Sequence, residues 1–491
     1  MAAGGKLSFD AARNESSESS KAANAEASIS VSKSSSGSGA GLEASGGFEN
    51  TKSSSSEAVT GKIAAGGNLS LSSGKDMKFE GTAVSAGGDT DITAGGNVDF
   101  AAARNTSSSE SANASASLSL SASSSSDKAK GTSEKSKSGA FGAEGGYSTE
   151  KNSEAVAGSL ETGGNLKIKS GGNASFEGTD IAAGGAAKID AKGDVNFKAA
   201  ESTSSSFGVA ASIGMEASNT TTTGGKADAP ATGANAAAGP ETEKERSGSV
   251  GFELGSSSTS DKKAATIKAG SVDISSGRNA SFEGTKVAAD GDINVAAKGD
   301  ISVTTAKSTS SNTGVSLSGE HESTTNSGNP DAKESSSRAG IGLDIGSAST
   351  NDKASFATGG KLTLASGGKT SLVSTEVKAA DGQDIKATGG VTRSTATDTE
   401  SGIRMNAVGL SQTKPKQEPA AAAAPAAGPA KAVAGEAEST PKSGTASAGV
   451  NDKPAAPEKT AKVAPKPVAK KTNPAKKIAT EAKVASESTK G

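Results

Sequence analysis

A repeat nested within a repeat constrains this chain more than any other feature. Phe-Glu-Gly-Thr occurs at Phe79–Thr82, Phe176–Thr179 and Phe282–Thr285, and a diverged copy, Leu372-Val-Ser-Thr375, stands where a fourth is due. The intervals are 97, 106 and 90 residues, and Leu69, Leu166, Val272 and Leu362 recur at the same intervals. Blocks of about 35–40 residues therefore keep a fixed internal length, and the length variation falls between them, as when packed elements alternate with tolerant insertions. Within a block the period is 21 residues: Gly66-Gly67-Asn68 returns as Gly87-Gly88-Asp89, Phe79 as Phe100 and Phe176 as Phe197.

Between the glycines, apolar and polar residues alternate strictly. Leu69 and Leu71 flank Ser70, Met77 and Phe79 flank Lys78, and Val98 and Phe100 flank Asp99. Short period-two runs closed by Gly-Gly, Gly-Asn or Gly-Asp read as strands joined by tight turns. A 21-residue unit of this kind suits one coil of a right-handed parallel β-helix, with alternate residues turned inward and coils stacked at about 4.8 Å. Nine coils can be counted, one before residue 20 and two in each block, so the rod should be about 40 Å long. Phe79, Phe100, Phe176, Phe197 and Phe282 should form one inward-facing structural core column, because their spacing matches the coil.

Composition agrees with a solenoid and argues against a compact enzyme. The 491 residues would ordinarily suggest about three domains, but hydrophobic residues make up only 32% and aromatics 2%. So few large side chains cannot fill several globular cores. There is no cysteine and one histidine, His321, so thiolate chemistry and a His–His metal pair are both ruled out. The 52 basic and 54 acidic residues nearly cancel, which leaves no overall basic footprint for nucleic acid. No run of apolar residues is long enough for a transmembrane helix, and the N-terminus carries no apolar signal segment.

The expected organisation has three parts. Residues 1–60 hold a partial coil and a Ser-rich insert. Residues 61–411 hold the β-helix blocks, at about 63–104, 160–199, 267–305 and 356–393. Residues 412–491 form an Ala/Lys/Pro-rich disordered tail. Inserts at about 15–60, 105–159, 200–265 and 305–355 share one plan, a Ser cluster, an alternating strand, a polar loop and a second strand, so each should project as a β-hairpin. The pairs are Ala114–Ser121 with Gly139–Tyr147, Phe207–Met215 with Ser249–Ser256, and Thr313–Ser318 with Ala339–Gly346. The tail holds 14 lysines against 7 acidic residues, a net of +7, leaving −9 for residues 1–411. It has no apolar set to bury and should be a solvated spacer. Val391 and Arg393 align with the inward Ile301 and Val303, so block four should end the solenoid, where an arginine can reach water.

No catalytic, cofactor or metal site is expected. Gly368-Lys369-Thr370 ends like a phosphate-binding loop, but its first glycine would fall at Thr363. Asp89, Asp194 and Asp300 lie beside glycines, yet the calcium-binding nonapeptide is absent and they read as turn acids. Lys192-Gly-Asp194 and Lys298-Gly-Asp300 resemble integrin-binding tripeptides, but they recur because the coil corner recurs. His321 sits in a polar loop without a partner set for catalysis.

The stretch from Gly66 to Asn105, with its Gly-Gly-Asn, Phe-Glu-Gly-Thr, Gly-Gly-Asp and Gly-Gly-Asn order, resembles the haemagglutinin repeats of filamentous-haemagglutinin-like exoproteins. The likeness covers most of residues 1–411. It implies a secreted or surface-exposed, non-catalytic adhesin-like fibre that attaches to cells, glycans or matrix. As partners it implies a cell-surface receptor or glycan and the outer-membrane transporter of two-partner secretion. The alternative that it implies is the stalk of a contact-dependent growth-inhibition toxin, although residues 412–491 are too polar and proline-rich to form a toxin domain. Residues 4–14 match Gly95–Asn105, so the sequence opens within a block, as in the C-terminal part of a larger exoprotein.

Overall fold

A computed structural model describes residues 1–129, 131–224, 240–327 and 333–413. Among these the secondary structure is all strand, with no helix. Short strands of two to six residues wind into a parallel β-helix of nine coils, whose walls are three parallel sheets of nine, nine and eight strands. One coil runs through Leu69–Ser73, Met77–Glu80 and Ala83–Ala86, one strand on each wall. The next runs through Thr90–Ala94 and Val98–Ala101, and reaches the third wall at Ser159–Thr162.

The alternation read in the sequence is the alternation of burial. Along Thr90–Ala94 every second residue is buried. On the first wall Leu71, Ile92, Ile168, Ile189, Ile274, Val295 and Leu364 lie in register on successive coils, and none is more than 1% exposed. Stacked aliphatic side chains of similar size fill such an interior without voids. The glycine corners are as necessary as the core, because a Cβ on Gly87 would run into the carbonyl oxygen of Gly66 on the coil below.

The inserts are hairpins, and they do not project singly. They pair laterally into one antiparallel sheet, or fin, of nine long strands: Ala12–Lys33, Gly37–Val59, Ala103–Asp127, Thr132–Val156, Ala200–Thr223, Glu241–Lys263, Ala306–Asn326, Glu334–Asp352 and Thr399–Thr413. The geometry of the rod explains this. A hairpin leaves at the corner between the second and third walls on every other coil, and the coils between turn that corner through Phe-Glu-Gly-Thr or, in the last of them, Leu372-Val-Ser-Thr375. Two coils rise about 9.6 Å, and two strands of a hairpin occupy the same width. Each hairpin therefore meets its neighbour at strand spacing.

That match also lengthens the strands. The core pairs expected from sequence are present, with Leu118 opposite Phe141 and Met215 opposite Gly248, but pairing continues through the Ser-rich flanks. Thus Ser109 faces Glu150 on one side and Ser53 on the other. The last fin strand, Thr399–Thr413, pairs with Glu334–Asp352 and was not anticipated from sequence. On the final coil Arg393 stands opposite Leu372 and is exposed, and Val391 is 43% exposed. Apart from Gln412 and Thr413, the expected tail lies outside the described residues.

Candidate functional site

The phenylalanines form the spine of the second wall. Phe79, Phe100, Phe176, Phe197 and Phe282 are each no more than 1% exposed. Their rings stack in sequence at centroid separations of 4.3, 5.4, 4.7 and 5.3 Å, with interplanar angles of 10–16°. Phe9 extends the stack, 5.2 Å from Phe79. Its place was legible in the match of residues 4–14 to Gly95–Asn105. Where the row passes to Val303, Phe356 from the third wall meets Phe282 edge-on at 5.5 Å. These residues belong to the core and, being buried, offer nothing to a ligand.

The corner polar residues form a ladder. The Asp89 N–H donates to Asn68 Oδ1 at 2.8 Å, and Asp89 Oδ1 accepts from the Asn165 N–H at 2.7 Å. A second run passes from Asn173 to Asp194 to Asn279 to Asp300, each side-chain oxygen accepting the next coil's N–H at 2.9–3.0 Å. Asp300 Oδ1 in turn accepts from the Lys369 N–H at 2.7 Å, so Asp89, Asp194 and Asp300 each spend an oxygen on backbone. Burial alone would raise the Asp194 pKa, but the Asn279 N–H and the Arg278 guanidinium, 2.6 Å away, bring it below its ordinary value. Among the described residues no group of three His, Asp or Glu converges as metal ligands.

Phe-Glu-Gly-Thr is the joint between rod and fin, which sequence reading did not reveal. Gly81, Gly178 and Gly284 have φ of 56, 57 and 61°, and a Cβ on each would lie 2.8, 2.5 or 2.6 Å from the Cβ of Ala103, Ala200 or Ala306, the first fin residue of the next coil. The motif's glutamate reaches the fin. Glu177 accepts from the Arg104 guanidinium at 2.7 Å and the Ala102 N–H at 3.2 Å. Glu283 accepts from Lys262 at 2.9 Å and the Ala199 N–H at 3.3 Å, and its hydrogen bond raises the Lys262 pKa. Glu80 pairs with Arg13 and Lys78. The signal for this joint was the shared Ala-Ala-Arg-Asn at residues 11–14 and 102–105.

The fin carries the exposed chemistry. Residues directly opposite in an antiparallel pair share a face, so the register sorts its side chains. Leu42, Leu118, Phe141, Met215 and Ile213 fall on one face. Through Val250, Phe252, Leu317, Ile341 and Met405 the same face continues to the last strand. The opposite face carries serine, glycine and asparagine with Glu43, Glu144, Glu216, Glu253 and Asp344. Val408 and Leu410 on the last strand are exceptions, on the polar face. Apolar residues stay uncovered, with Ile29 79%, Val250 57% and Ile341 55% exposed.

The remaining sequence candidates lie apart from one another. Lys192 and Lys298 belong to the rod corners that stack on Gly277 and Gly367. His321 stands on the fin, its Nδ1 2.8 Å from Ser337 Oγ. Among the described residues no helix is long and apolar enough to cross a membrane.

Comparison with known protein families matches the haemagglutinin repeat over residues 1–116, 49–146, 139–316 and 253–407. No curated protein and no solved structure matches the chain. The family is typically structural and adhesive, and it implies a secreted or surface protein. The nine-coil rod, its recurring Phe-Glu-Gly-Thr joints and the repeat match over nearly all the described residues make this chain a member of the haemagglutinin repeat family, a filamentous-haemagglutinin-like protein of adhesin type.

Proposed function

We propose that this chain is part of a non-catalytic fibre that attaches bacteria to cells, glycans or matrix, with the rod as spacer and the fin's polar face as contact surface. The observation that carries this reading is that face. It is a broad array of hydroxyl, amide and carboxylate groups, such as Ser115 and Glu144 joined at 3.1 Å, interleaved with glycines over which cross-strand polar side chains lie, as Ser212 does over Gly251 and Asn113 over Gly146. Sugars are recognised by side chains of these kinds, and a flat sheet suits an extended polymer better than a small substrate. On this reading the parent protein is exported through the outer-membrane transporter of two-partner secretion.

The test is binding of the labelled full chain to erythrocytes, epithelial cells, matrix proteins and a glycan array. Saturable binding that falls in a triple variant, Glu144→Lys, Glu216→Lys and Glu253→Lys, supports the reading. Absence of saturable binding to every surface would overturn it.

A further inference from the structure

The fin's other face calls for a partner. Its two central rows cross all nine strands, one from Ala25 through Ile213 and Val250 to Gly409, the other from Ala23 through Phe252 and Leu317 to Ala407. Neither contains a polar side chain. The rows on either side are apolar over most strands but carry His321, Ser337 and Ser411 on one margin and Lys21 and Asn50 on the other. Nine strands at about 4.8 Å and about six residues at about 3.3 Å therefore make an apolar area of about 40 by 20 Å. That exceeds the few hundred Å² that a monomer ordinarily leaves open.

We propose that this face is an interface between two copies of this chain, closed face to face as a β-sandwich. Three observations favour a second copy. Two such faces would bury about 1,600 Å² in total, the size of a standard stable interface. A flat apolar sheet face is complementary to itself, and two sheets pack at about 10 Å with their side chains interdigitated. The charges are placed to allow it: Glu43, Glu144, Glu216 and Glu253 lie on the opposite face, and the charges that share the apolar face, such as Lys21, Lys137 and Arg246, stand at its margins, where they can stay in water. The proposal is independent of the adhesive reading, which uses the opposite face.

Sedimentation velocity on the full chain over a wide concentration series should give the mass of a dimer. The double variant Ile213→Asp and Phe252→Asp removes two anchors and should weaken association at least about a hundredfold, with an unchanged far-UV circular dichroism spectrum. Because the chain has no cysteine, adjacent single cysteines give a second readout that does not depend on that variant. Leu317→Cys should be protected from a bulky maleimide at high concentration and labelled on dilution, whereas Ser316→Cys, on the polar face, should label equally at both. A monomeric wild-type chain, or equal labelling of both cysteines, would overturn the proposal. A monomer that floats with phosphatidylcholine–phosphatidylglycerol vesicles would assign the face to lipid instead.

Discussion

Removing one ring from the middle of the phenylalanine stack tests how the rod is held together. Phe176 is fully buried and lies between Phe100 at 5.4 Å and Phe197 at 4.7 Å, both nearly parallel to it. A buried Phe withdraws roughly 200 Å² from water, worth about 5 kcal/mol at about 25 cal/mol per Å². Alanine keeps a minor share of that area, and the coils above and below are fixed by their own ladders, so the space cannot fully collapse. Phe176→Ala should therefore cost about 3–5 kcal/mol. Phe9 has one ring neighbour and is only partly buried, so Phe9→Ala should cost about 1–2 kcal/mol by the same area argument. Phe176→Leu should cost less than about 1.5 kcal/mol, since Leu372 already occupies the same row. Urea titration followed by far-UV circular dichroism at constant m-value measures all three. Equal shifts for Phe176→Ala and Phe9→Ala would refute the stack as a principal source of stability, and a Phe176→Leu loss as large as that of alanine would refute buried area as the origin of its contribution.

Other substitutions address the joints and the ladder. Gly178→Ala meets both a positive φ and the Ala200 Cβ, and should cost about 2–5 kcal/mol. Gly131→Ala, at φ 64° with open space around it, should cost only about 1–2 kcal/mol, and equal losses in thermal melts would count against the joint. The Thr90 hydroxyl is buried without a partner between Leu69 and Leu166, so Thr90→Val should stabilise the rod by about 1 kcal/mol; a destabilisation in urea would contradict this. The lowered pKa of Asp194 means that its contribution is present above the unfolded-state value of about 3.9 and is lost as pH falls through the lower folded-state value. Asp194→Asn keeps an oxygen for the Asn279 N–H, so it should fold normally at neutral pH and lose less stability in acid than wild type. A steeper acid loss in the variant would reverse the assigned sign.

The rod was legible because its interactions are local in the repeat. Inward positions such as Leu71, Ile92 and Ile168 need only their own strand's alternation and a fixed coil length, and both can be read along the chain. Corner glycines such as Gly87 follow from the same period. The Glu177–Arg104 joint was less legible, because its partners lie 73 residues apart and either residue alone reads as a solvated charge. The long fin strands were legible only at their apolar centres. Their flanks, such as Ser53 and Ser109, are poor in strand-forming residues and become strands because both edges find partners.

The sequence by itself determined the coil, its nine-fold repetition, the inward side chains and the hairpin composition of the inserts. Only the tertiary structure decided that the hairpins form one sheet. That depends on a length match which no single repeat contains: hairpins leave every second coil, and two coils rise by the width of two strands. The same match sets the register across nine strands, and register decides which face each side chain takes. It thereby gathers Leu118, Phe252 and Ile341, far apart in sequence, onto one apolar surface and turns the carboxylates of Glu144 and Glu253 to the other.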